Sequence, residues 1–393
     1  MPVEKQRPRP FSASIVGGSV GGLAAALELR RIAGADVRVY ERSAGVMEAR
    51  GAGVVMQPEV ESLLQTVGSS AEEVSVRLEE RVTFGPDGAE RTQRAPQLMT
   101  AWDTLYKTLK EALQGSCYRQ DSRLVDLREE SEQIRAVFAD GYEVKADILV
   151  GADGVNSSCR RILVEDSPAR YSGYVAWRGL EHETDLSPGL LARLDRRFTF
   201  FQMPGSQFLC YLVPGEDGAT EEGGRRVNWV WYMNADERSL PEMMQGSSGR
   251  SFVSFLPKGE VRPEIEERVQ RIASRSLPDI FCRLLSQSTL FMQPVQDADP
   301  VARHHGRTVL IGDAAGTVRP HTAAGTSKAF GDATALGHSL RGWSRTDPFP
   351  ESVVSSWDEQ RQSNLLATAV RGFRLARGSG LGVPGAPESW ELG

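Results

Sequence analysis

The sequence predicts a mixed α/β (α+β) fold, in which a parallel-sheet domain carries an inserted antiparallel sheet and is followed by C-terminal helices. Three observations predict it. Apolar runs typical of strands end near residues 16, 150 and 311, each followed by glycine. Between the second and third runs, segments that alternate apolar and polar residues dominate. After residue 332 the apolar residues recur at helical spacing.

Length, composition and charge exclude several classes of protein. The 393 residues predict two or three domains, and 40% hydrophobic with 25% charged residues is typical of a soluble globular protein. A net charge of −6 gives no reason to expect nucleic acid as a partner. No apolar stretch approaches the roughly 20 residues of a membrane span, and no signal peptide is apparent, so we expect a cytoplasmic protein.

The cysteines and histidines predict no metal site. The cysteines are scattered without a C-x-x-C pair, which favours reduced thiols: Cys117, Cys159, Cys210 and Cys282. The histidines are distant from them in sequence, and no carboxylate–histidine spacing resembles a ligand set. We therefore expect no metal requirement.

The segment SASIVGGSVGGLAAALELRRIAGADVRVYER, residues 12–42, predicts a strand, a glycine turn, a helix and a second strand that ends at Glu41. Such a unit brings a helix N-terminus against a phosphate, because free N–H groups and the helix dipole favour negative charge there. Gly17 suits the tight turn and Gly22 allows close packing of helix on strand. Ser19 replaces the middle glycine of the usual G-x-G-x-x-G pattern.

An acidic residue completes this Rossmann-like unit. Glu41 follows Gly17 by 24 residues, about where a carboxylate binds a pair of ribose hydroxyls. Glycine clusters also occur as simple turns, but strand, helix and acid in register favour a bound dinucleotide, with NAD and FAD both open at this point. The candidate contacts are Gly17, Gly18, Ser19, Gly22, Glu41 and Arg42.

A second glycine-flanked acid follows a strand in ADILVGADGVNSSCRRIL, residues 146–163. This segment resembles the D-G motif of the flavoprotein aromatic hydroxylases. The matching positions are Asp147, Gly151, Ala152, Asp153, Gly154, Ser157 and Arg160. The resemblance implies that Asp153 lies near the ribose and phosphates of the cofactor.

The third segment, IGDAAGTVRPHTAAG, residues 311–325, resembles the G-D-A-A motif of the same family. The matching positions, which continue into the following helix, are Gly312, Asp313, Ala314, Ala315, Pro320, Gly325, Asp332 and Ala333. Three motifs in the family's order identify the chain as similar to the group A FAD-dependent aromatic hydroxylases. The first unit is then expected to be a Rossmann-like FAD-binding domain.

The resemblance implies a cofactor and a chemistry. FAD would be held non-covalently, NADH or NADPH would reduce it, and a flavin C4a-hydroperoxide formed with O2 would transfer oxygen to an aromatic substrate. Asp313 would accept hydrogen bonds from the ribityl hydroxyls, with capping of the next turn as the alternative. The N–H groups of Ala324, Gly325 and Thr326 would point at the flavin pyrimidine edge, where reduction places negative charge.

Some positions depart from the family pattern. Gly316 stands where many relatives have histidine, Ala323 where many have glycine, and Ser327 where many have asparagine. Trp102 stands where an arginine often precedes the helix that packs on the ribityl chain. The stretches VMQPEV, YSGYVAWRGL and GDAAxxxRPHxAAG are most similar to members that oxygenate N-heteroaromatic rings.

The middle of the chain predicts the inserted sheet. Antiparallel strands are expected over 174–180, 197–203, 207–213 and 226–233, with helices over about 253–290. Trp229 and Trp231 share one face of a strand, which favours core packing over contact with a flat substrate. We predict a discontinuous FAD-binding domain (11–80, 100–170 and 292–345), a substrate-binding sheet domain (81–99 and 171–291), and C-terminal helices with a loose tail (346–393).

Three residues are candidates for contact with the substrate. His321 follows Pro320 at the hinge before the flavin-facing helix, and a neutral imidazole there, whose unperturbed pKa lies near working pH, could take a proton from a ring hydroxyl. A structural hydrogen bond is its alternative. Arg178 is either a polar anchor in the pocket or a salt-bridged sheet residue. Gln57 either contacts the flavin or substrate or stabilises the turn beside Pro58.

Together these features predict an FAD-dependent monooxygenase that hydroxylates an electron-rich N-heteroaromatic or phenolic ring. The alternative on the same scaffold is epoxidation, by a tailoring enzyme of a quinolone-like or polyketide secondary metabolite. A simple NAD-binding dehydrogenase and a non-catalytic flavin-binding regulator are further hypotheses. The resemblance also suggests a homodimer, although no self-complementary patch is legible in the sequence.

Overall fold

The computed structural model describes residues 10–45, 53–113, 115, 117–387 and 390. Within them the strands are β1 (Ser12–Val16), β2 (Asp36–Tyr40), β3 (Gly53–Val55), β4 (Val76–Phe84), β5 (Glu90–Ala101), β6 (Tyr118–Arg119), β7 (Leu124–Glu129), β8 (Ile134–Phe138), β9 (Glu143–Ala146), β10 (Ile148–Gly151), β11 (Arg170–His182), β12 (Arg197–Met203), β13 (Ser206–Val213), β14 (Arg226–Asn234), β15 (Phe291–Asp297), β16 (His304–His305) and β17 (Thr308–Leu310). The helices are α1 (Val20–Glu28), α2 (Pro58–Thr66), α3 (Trp102–Leu113), α4 (Ser158–Leu163), α5 (Pro188–Leu194), α6 (Leu240–Met243), α7 (Pro263–Ser276), α8 (Asp279–Ser286), α9 (Gly325–Ser339) and α10 (Glu351–Gly378).

The first sheet is the parallel one, with strand order β16-β17-β10-β1-β2-β6. All neighbours pair in parallel except β16 with β17. Helices α1, α3 and α9 pack together on one face, and the small sheet β7-β8-β9 covers the other. Burial on both faces explains why the central strands β10 (ILVG) and β17 (TVL) are buried without alternation. Because β1, β10 and β17 run in parallel, their carboxyl ends and the loops after them lie at one edge of the sheet.

The second sheet has the order β15-β11-β14-β13-β12-β4-β5-β3. Its neighbours are antiparallel except for β4 with β12, which run in parallel. The four strands expected in the middle of the chain are present as β11 to β14. The sheet also takes in β3 and β15, which lie outside the segments predicted for it. The mixed α/β class with an inserted antiparallel sheet is confirmed.

The two faces of this second sheet differ, as the alternation of its strands requires. On one face Trp177, Trp229 and Trp231 are fully buried against α5, α7 and α8. The core packing predicted for Trp229 and Trp231 is confirmed, and their indole N–H groups donate to Ser288 Oγ (2.9 Å) and Ser206 Oγ (2.8 Å). The other face, with Ala176 and Arg178, turns toward the parallel sheet.

The helical stretch expected over 253–290 is shorter in the structure. Only α7 and α8 are helical there, and both begin at or directly after a proline, Pro263 and Pro278. Proline suits the first turn of a helix because its missing N–H would have no partner there. The preceding residues 253–262 are irregular, with a proline at 257 and a glycine at 259.

The tail after α10 differs from the loose segment that its glycine and proline content favours. Leu381 and Trp390 are buried, and Asn234 Nδ2 donates to the carbonyl oxygens of Gly380 (2.9 Å) and Pro387 (3.1 Å). Two apolar side chains and one asparagine thus fix this stretch on the second sheet. Residues 388–389 and 391–393 of the predicted tail lie outside the described residues. None of the described helices is long and apolar enough to cross a membrane.

Candidate active site

A cleft of about 580 Å³ lies between the carboxyl edge of the parallel sheet and the polar face of the antiparallel sheet. Gly17, Asp153 and Asp313, one from each of the three sequence motifs, line it. Arg178 and Tyr232 line it from the opposite side. The loops that the sequence singled out are therefore brought together at one site, in the place where open α/β sheets bind ligands.

Two positions leave no room for a side chain: Gly17 in the turn after β1 and Gly22 in the first turn of α1. Gly17 has φ +105°, and a Cβ added there would lie 2.4 Å from the carbonyl oxygen of Ala152. A Cβ added at Gly22 would lie 1.8 Å from the carbonyl oxygen of Gly17. Ser19 precedes α1 without capping it by a side-chain hydrogen bond, and Ser19, Val20 and other residues of the turn line the cleft. The N-terminus of α1 is thus open to an anion from the cleft.

Glu41 ends the second strand of this unit, as predicted, and lines the cleft. Its carboxylate is buried and accepts the N–H groups of Gly18 (2.8 Å) and Ser43 (2.8 Å). These bonds hold the carboxylate and the glycine turn in one arrangement. Arg42 follows on the exposed rim of the cleft. Contact of Glu41 and Arg42 with a ribose or an adenine stays a prediction.

Asp153 lines the cleft, but its carboxylate caps a helix. It accepts the N–H groups of Ser158 (2.6 Å) and Cys159 (3.1 Å), and the hydroxyl of Ser157 also donates to it. Satisfying the N–H groups at the start of α4 in this way fixes the loop at residues 152–156. Capping of α4 is the role that the structure shows for Asp153, and the contact with ribose and phosphates that the resemblance implies stays a prediction.

The G-D-A-A turn presents Asp313 to the cleft. It forms a short 3-10 turn over Gly312–Ala314, and the Asp313 side chain is 45% exposed. Gly312 has φ +57°, and its N–H donates to Asp332 Oδ2 at 3.0 Å. Asp332 is fully buried and also receives Arg303 and Arg361, each at 2.7 Å. This buried network holds the turn from behind.

Two further cations join the turn, and sequence reasoning assigned neither a role. Arg160 is buried and donates to the carbonyl oxygens of Asp313 (3.0 Å) and Ala314 (3.1 Å). Lys328 Nζ lies 3.3 Å from Asp313 Oδ1. Arg160 matches the D-G motif by position, but its partners lie 153 and 154 residues away in sequence. In the sequence Lys328 is only a charge within an apolar helix, and no local pattern indicates a role for it.

The start of α9 also faces the cleft. Gly325 and Thr326 line it, and Ala324 precedes the helix without a side-chain cap. Ala323 adopts a left-handed conformation with φ +53°, which glycine adopts more readily and which fits the glycine that the family pattern implies at this position. Gln57 Nε2 donates to the carbonyl oxygen of Ala323 at 2.9 Å. Gln57 therefore stabilises this turn through the main chain.

Arg178 is an isolated cation on the antiparallel side. It lines the cleft, its Nε is buried without a hydrogen-bond partner among the described residues, and no described carboxylate pairs with it. Burial raises the pKa of the Tyr211 and Tyr232 phenols, and the nearby Arg178 charge opposes this rise. The salt bridge that was the alternative for Arg178 is therefore not formed among the described residues.

His321 is placed one layer behind the cleft. Its Nε2 lies 3.2 Å from the Tyr174 hydroxyl, and its ring meets that of Tyr232 edge-on at 5.0 Å. Burial, with the charge of Arg319, lowers the pKa of His321 from 6.5 to about 4. Burial disfavours the imidazolium, so the pKa lies below the unperturbed value on which the sequence-based hypothesis rested. The imidazole is neutral at pH 7.

The donor set of the cleft fits a flavin dinucleotide. The starts of α1 and α9 offer uncapped N–H groups, and the glycines beside α1 leave no room for a side chain where a pyrophosphate must approach the backbone. Asp313 offers a carboxylate for hydroxyl groups between the two helix starts. Among the described residues, no cluster of three or more histidine, cysteine or acidic side chains could hold a metal ion.

Comparison with known proteins agrees with this geometry. Residues 11–187 match the family described as FAD binding domain, and residues 171–297 match FAD binding domain-like. The chain is 33% identical over 338 residues to 2,6-dihydroxypyridine 3-monooxygenase of Paenarthrobacter nicotinovorans, with 84% of each chain covered. It is 28% identical to 3-amino-4-hydroxybenzoate 2-monooxygenase of Streptomyces cremeus, with 94% of this chain and 87% of the relative covered.

A solved structure extends the likeness to the whole fold. The structure of 2,6-dihydroxypyridine-3-hydroxylase from Arthrobacter nicotinovorans superposes with a TM-score of 0.88 at 29% identity, and 98% of each chain is covered. Fold and cleft thus define a flavoprotein with an inserted antiparallel sheet. The chain belongs to the family of FAD-dependent aromatic monooxygenases. The resemblance seen in the three motifs and in the stretches akin to 2,6-dihydroxypyridine 3-hydroxylase is confirmed, as is FAD as cofactor.

Proposed function

We propose that the protein hydroxylates an electron-rich N-heteroaromatic or phenolic ring, with NADH or NADPH and O2 as co-substrates. The observation that carries this proposal is the cleft that joins the three cofactor motifs to the polar face of the antiparallel sheet. The names of the two relatives give a dihydroxypyridine and an aminohydroxybenzoate as their substrates, which supports a flat ring with hydroxyl substituents.

FAD is proposed to lie along the edge of the parallel sheet, where it supplies the oxygen-transfer chemistry. The turn from Gly17 to Gly22, which includes Gly18 and Ser19, binds the pyrophosphate at the start of α1. Glu41 and Arg42 bind the adenosine end. Asp313 accepts hydrogen bonds from the ribityl hydroxyls, and the N–H groups of Gly325 and Thr326 meet the pyrimidine edge of the flavin. The N–H of Ala324, the third predicted there, donates to Thr322 Oγ1 at 3.2 Å instead. The uncapped helix starts and the cleft-facing carboxylates support this placement.

Arg178 is proposed to bind an ionised oxygen of the ring. A guanidinium without a carboxylate partner is costly in a partly buried site, and an anionic oxygen of the substrate would offset that cost. Ionisation of a ring hydroxyl also increases electron density at the carbon that is to be oxygenated. One interaction would thus orient the ring and favour its reactive form.

His321 is proposed to assist removal of the proton from the ring hydroxyl. Its imidazole is neutral and lies against Tyr232, which lines the cleft. A conjugate acid with a pKa of about 4 makes a weak base, so we expect a partial contribution. Gln57 is proposed to act indirectly, because its bond to Ala323 holds the turn before the flavin-facing helix.

A screen of hydroxylated pyridines, quinolines and phenols tests the function. A substrate should accelerate flavin reduction by NADH or NADPH and should yield a product heavier by one oxygen atom, with label from ¹⁸O2. Failure of every hydroxylated ring to stimulate reduction, in protein that holds FAD, would contradict the proposal. The competing epoxidation differs in its product, which would carry an oxygen bridging two ring carbons.

The assembly and the location of the protein are further proposals. We infer a homodimer from the resemblance to the family, and light scattering of the purified holoprotein tests it. The cytoplasmic location expected from the sequence is tested by fractionation of the cells that produce the protein.

A further inference from the structure

Lys328 is a buried ammonium directly behind the proposed flavin site. It lies in the first turn of α9, and its side chain is only 6% exposed. Its Nζ lies 3.3 Å from Asp313 Oδ1 and also donates to the carbonyl oxygen of Gly316. Lys328 thus joins the start of α9 to the turn that carries Asp313.

A lysine is an expensive choice at this position. Burial lowers the pKa of Lys328, because the charged form loses its hydration. The first turn of a helix also carries the positive end of the dipole, which disfavours a cation. Asp313 opposes both effects, as does the more distant Asp332. A methionine would fill similar space without these costs, so packing alone does not account for the ammonium.

The charges around Lys328 do not cancel. Asp332 is shared by Arg303 and Arg361, and Asp313 is the carboxylate that Lys328 contacts. Within these ion pairs three cations face two carboxylates, an excess of one positive charge when all are ionised. This charged cluster lies behind the start of α9: Asp332 and Arg303 are fully buried, Lys328 nearly so, and Arg361 and Asp313 are partly exposed.

We propose that Lys328 is a positioning residue for the flavin: it holds the Asp313 carboxylate toward the ribityl chain, and its charge favours the reduced cofactor. The inference rests on the proposed placement of FAD in this cleft. Reduction transfers a hydride from NAD(P)H, which leaves NAD(P)⁺ and adds one negative charge to the flavin when no further proton follows. A buried positive charge nearby stabilises that anion more than the neutral oxidised ring.

The test compares three variants at saturating FAD. Lys328→Met removes the charge at similar volume, Lys328→Arg keeps it, and Lys145→Met removes an exposed ammonium that pairs with Glu130 on the small sheet. Flavin reduction is titrated at equilibrium against a reference dye, and FAD affinity is measured by fluorescence on the apoprotein. Lys328→Met should lower the equilibrium constant of two-electron reduction about tenfold, a shift of about 30 mV. It should also weaken FAD binding about tenfold.

A fourth variant provides the opposite sign. Asp313→Asn leaves the Lys328 charge uncompensated, so the reduction equilibrium should move toward the reduced flavin, even if FAD binds more weakly. If Lys328→Met fails to fold, the reduction equilibrium of Asp313→Asn still tests the effect of the Lys328 charge. Wild-type reduction equilibria in both Lys328→Met and Asp313→Asn would overturn the inference. Continued hydroxylation in those variants would show that the proposed function stands without it.

Discussion

The guanidinium of Arg160 donates to the carbonyl oxygen of Asp313 at 3.0 Å, across 153 residues of sequence. The same side chain also bonds Ala314 and two carbonyls of its own loop, Val155 and Ser167. The D-G loop and the G-D-A-A turn are therefore one mechanical unit. An acid that contacts a cofactor must be held within a fraction of an ångström, and a buried fork of hydrogen bonds does this.

Replacing Arg160 with methionine should loosen both loops. Several buried carbonyl oxygens lose their donor, so the free energy of unfolding should fall by about 3 kcal/mol and FAD should dissociate more readily. Chemical denaturation with and without FAD measures both effects. Arg161→Met is the matched control, because Arg161 is the exposed neighbour on α4. Equal stability of the two variants would show that the Arg160 bonds are not needed.

Asp313→Ala should weaken FAD binding strongly, by about 10²-fold, since ribityl hydroxyls would be left unpaired in a partly buried site. Glu41→Ala should act in the same direction, by about tenfold, because the N–H groups of Gly18 and Ser43 lose their acceptor and the glycine turn loosens. Fluorescence titration of the apoproteins with FAD gives both values. Wild-type affinity in Asp313→Ala would remove this residue from the cofactor site.

Arg178→Met should weaken binding of a hydroxylated ring by about 10²-fold while FAD stays bound. In the wild type, affinity should rise with pH as the ring hydroxyl ionises, and this dependence should vanish in the variant. Substrate-induced changes in flavin absorbance report the affinity. Arg170→Met is the control on the same strand, where the side chain is exposed and lies 3.5 Å from Asp299. A neutral ligand bound as tightly as its anion would contradict the role.

Replacing His321 with asparagine should leave FAD binding nearly intact and lower oxygen transfer by about 10²-fold. NAD(P)H consumption should continue, so more hydrogen peroxide should form per turnover. Raising the pH should restore part of the coupling, because the substrate then ionises without assistance. Tyr174→Phe separates the alternatives, since a purely structural histidine predicts instability in both variants and no rescue by pH. If NAD(P)H consumption stays coupled to oxygen transfer in His321→Asn as in the wild type, His321 has no role in removing the proton.

His321 should also set part of the acid stability. Its pKa of about 4 in the folded protein lies below the ordinary 6.5, so the unfolded chain binds the proton more readily. The stabilisation is complete above pH 6.5 and is lost as the pH falls toward 4, by about 3 kcal/mol. Denaturation of wild type and His321→Asn between pH 7 and 4 tests this. The difference between their stabilities should shrink as the pH falls, and a constant difference would contradict it.

The sequence predicted those features that depend only on residues close together in the chain. A glycine turn, an acid at a strand end and an apolar run need only neighbouring residues, so Gly17, Glu41 and Asp313 were found together with their strands. The bonds of Arg160 and Gln57 join segments that are distant in sequence, and no local pattern encodes such partners. The low pKa of His321 depends on burial by Tyr174 and its neighbours, which exists only after folding. The pattern of apolar and charged residues over 253–290 also predicted helix for residues 253–262, which are irregular in the structure.

The strand order of the parallel sheet has a consequence for the synthesis of the protein. β1 and β17 flank β10 in the sheet, yet roughly three quarters of the chain lies between them. A ribosome therefore releases the first cofactor loop long before the turn with Asp313, and the second sheet can fold in the interval. FAD can bind with full affinity only once α9 has emerged, and it then stabilises the finished fold by mass action. We expect newly made chains to wait in an open, cofactor-free form, whose lifetime depends on how much FAD the cell supplies.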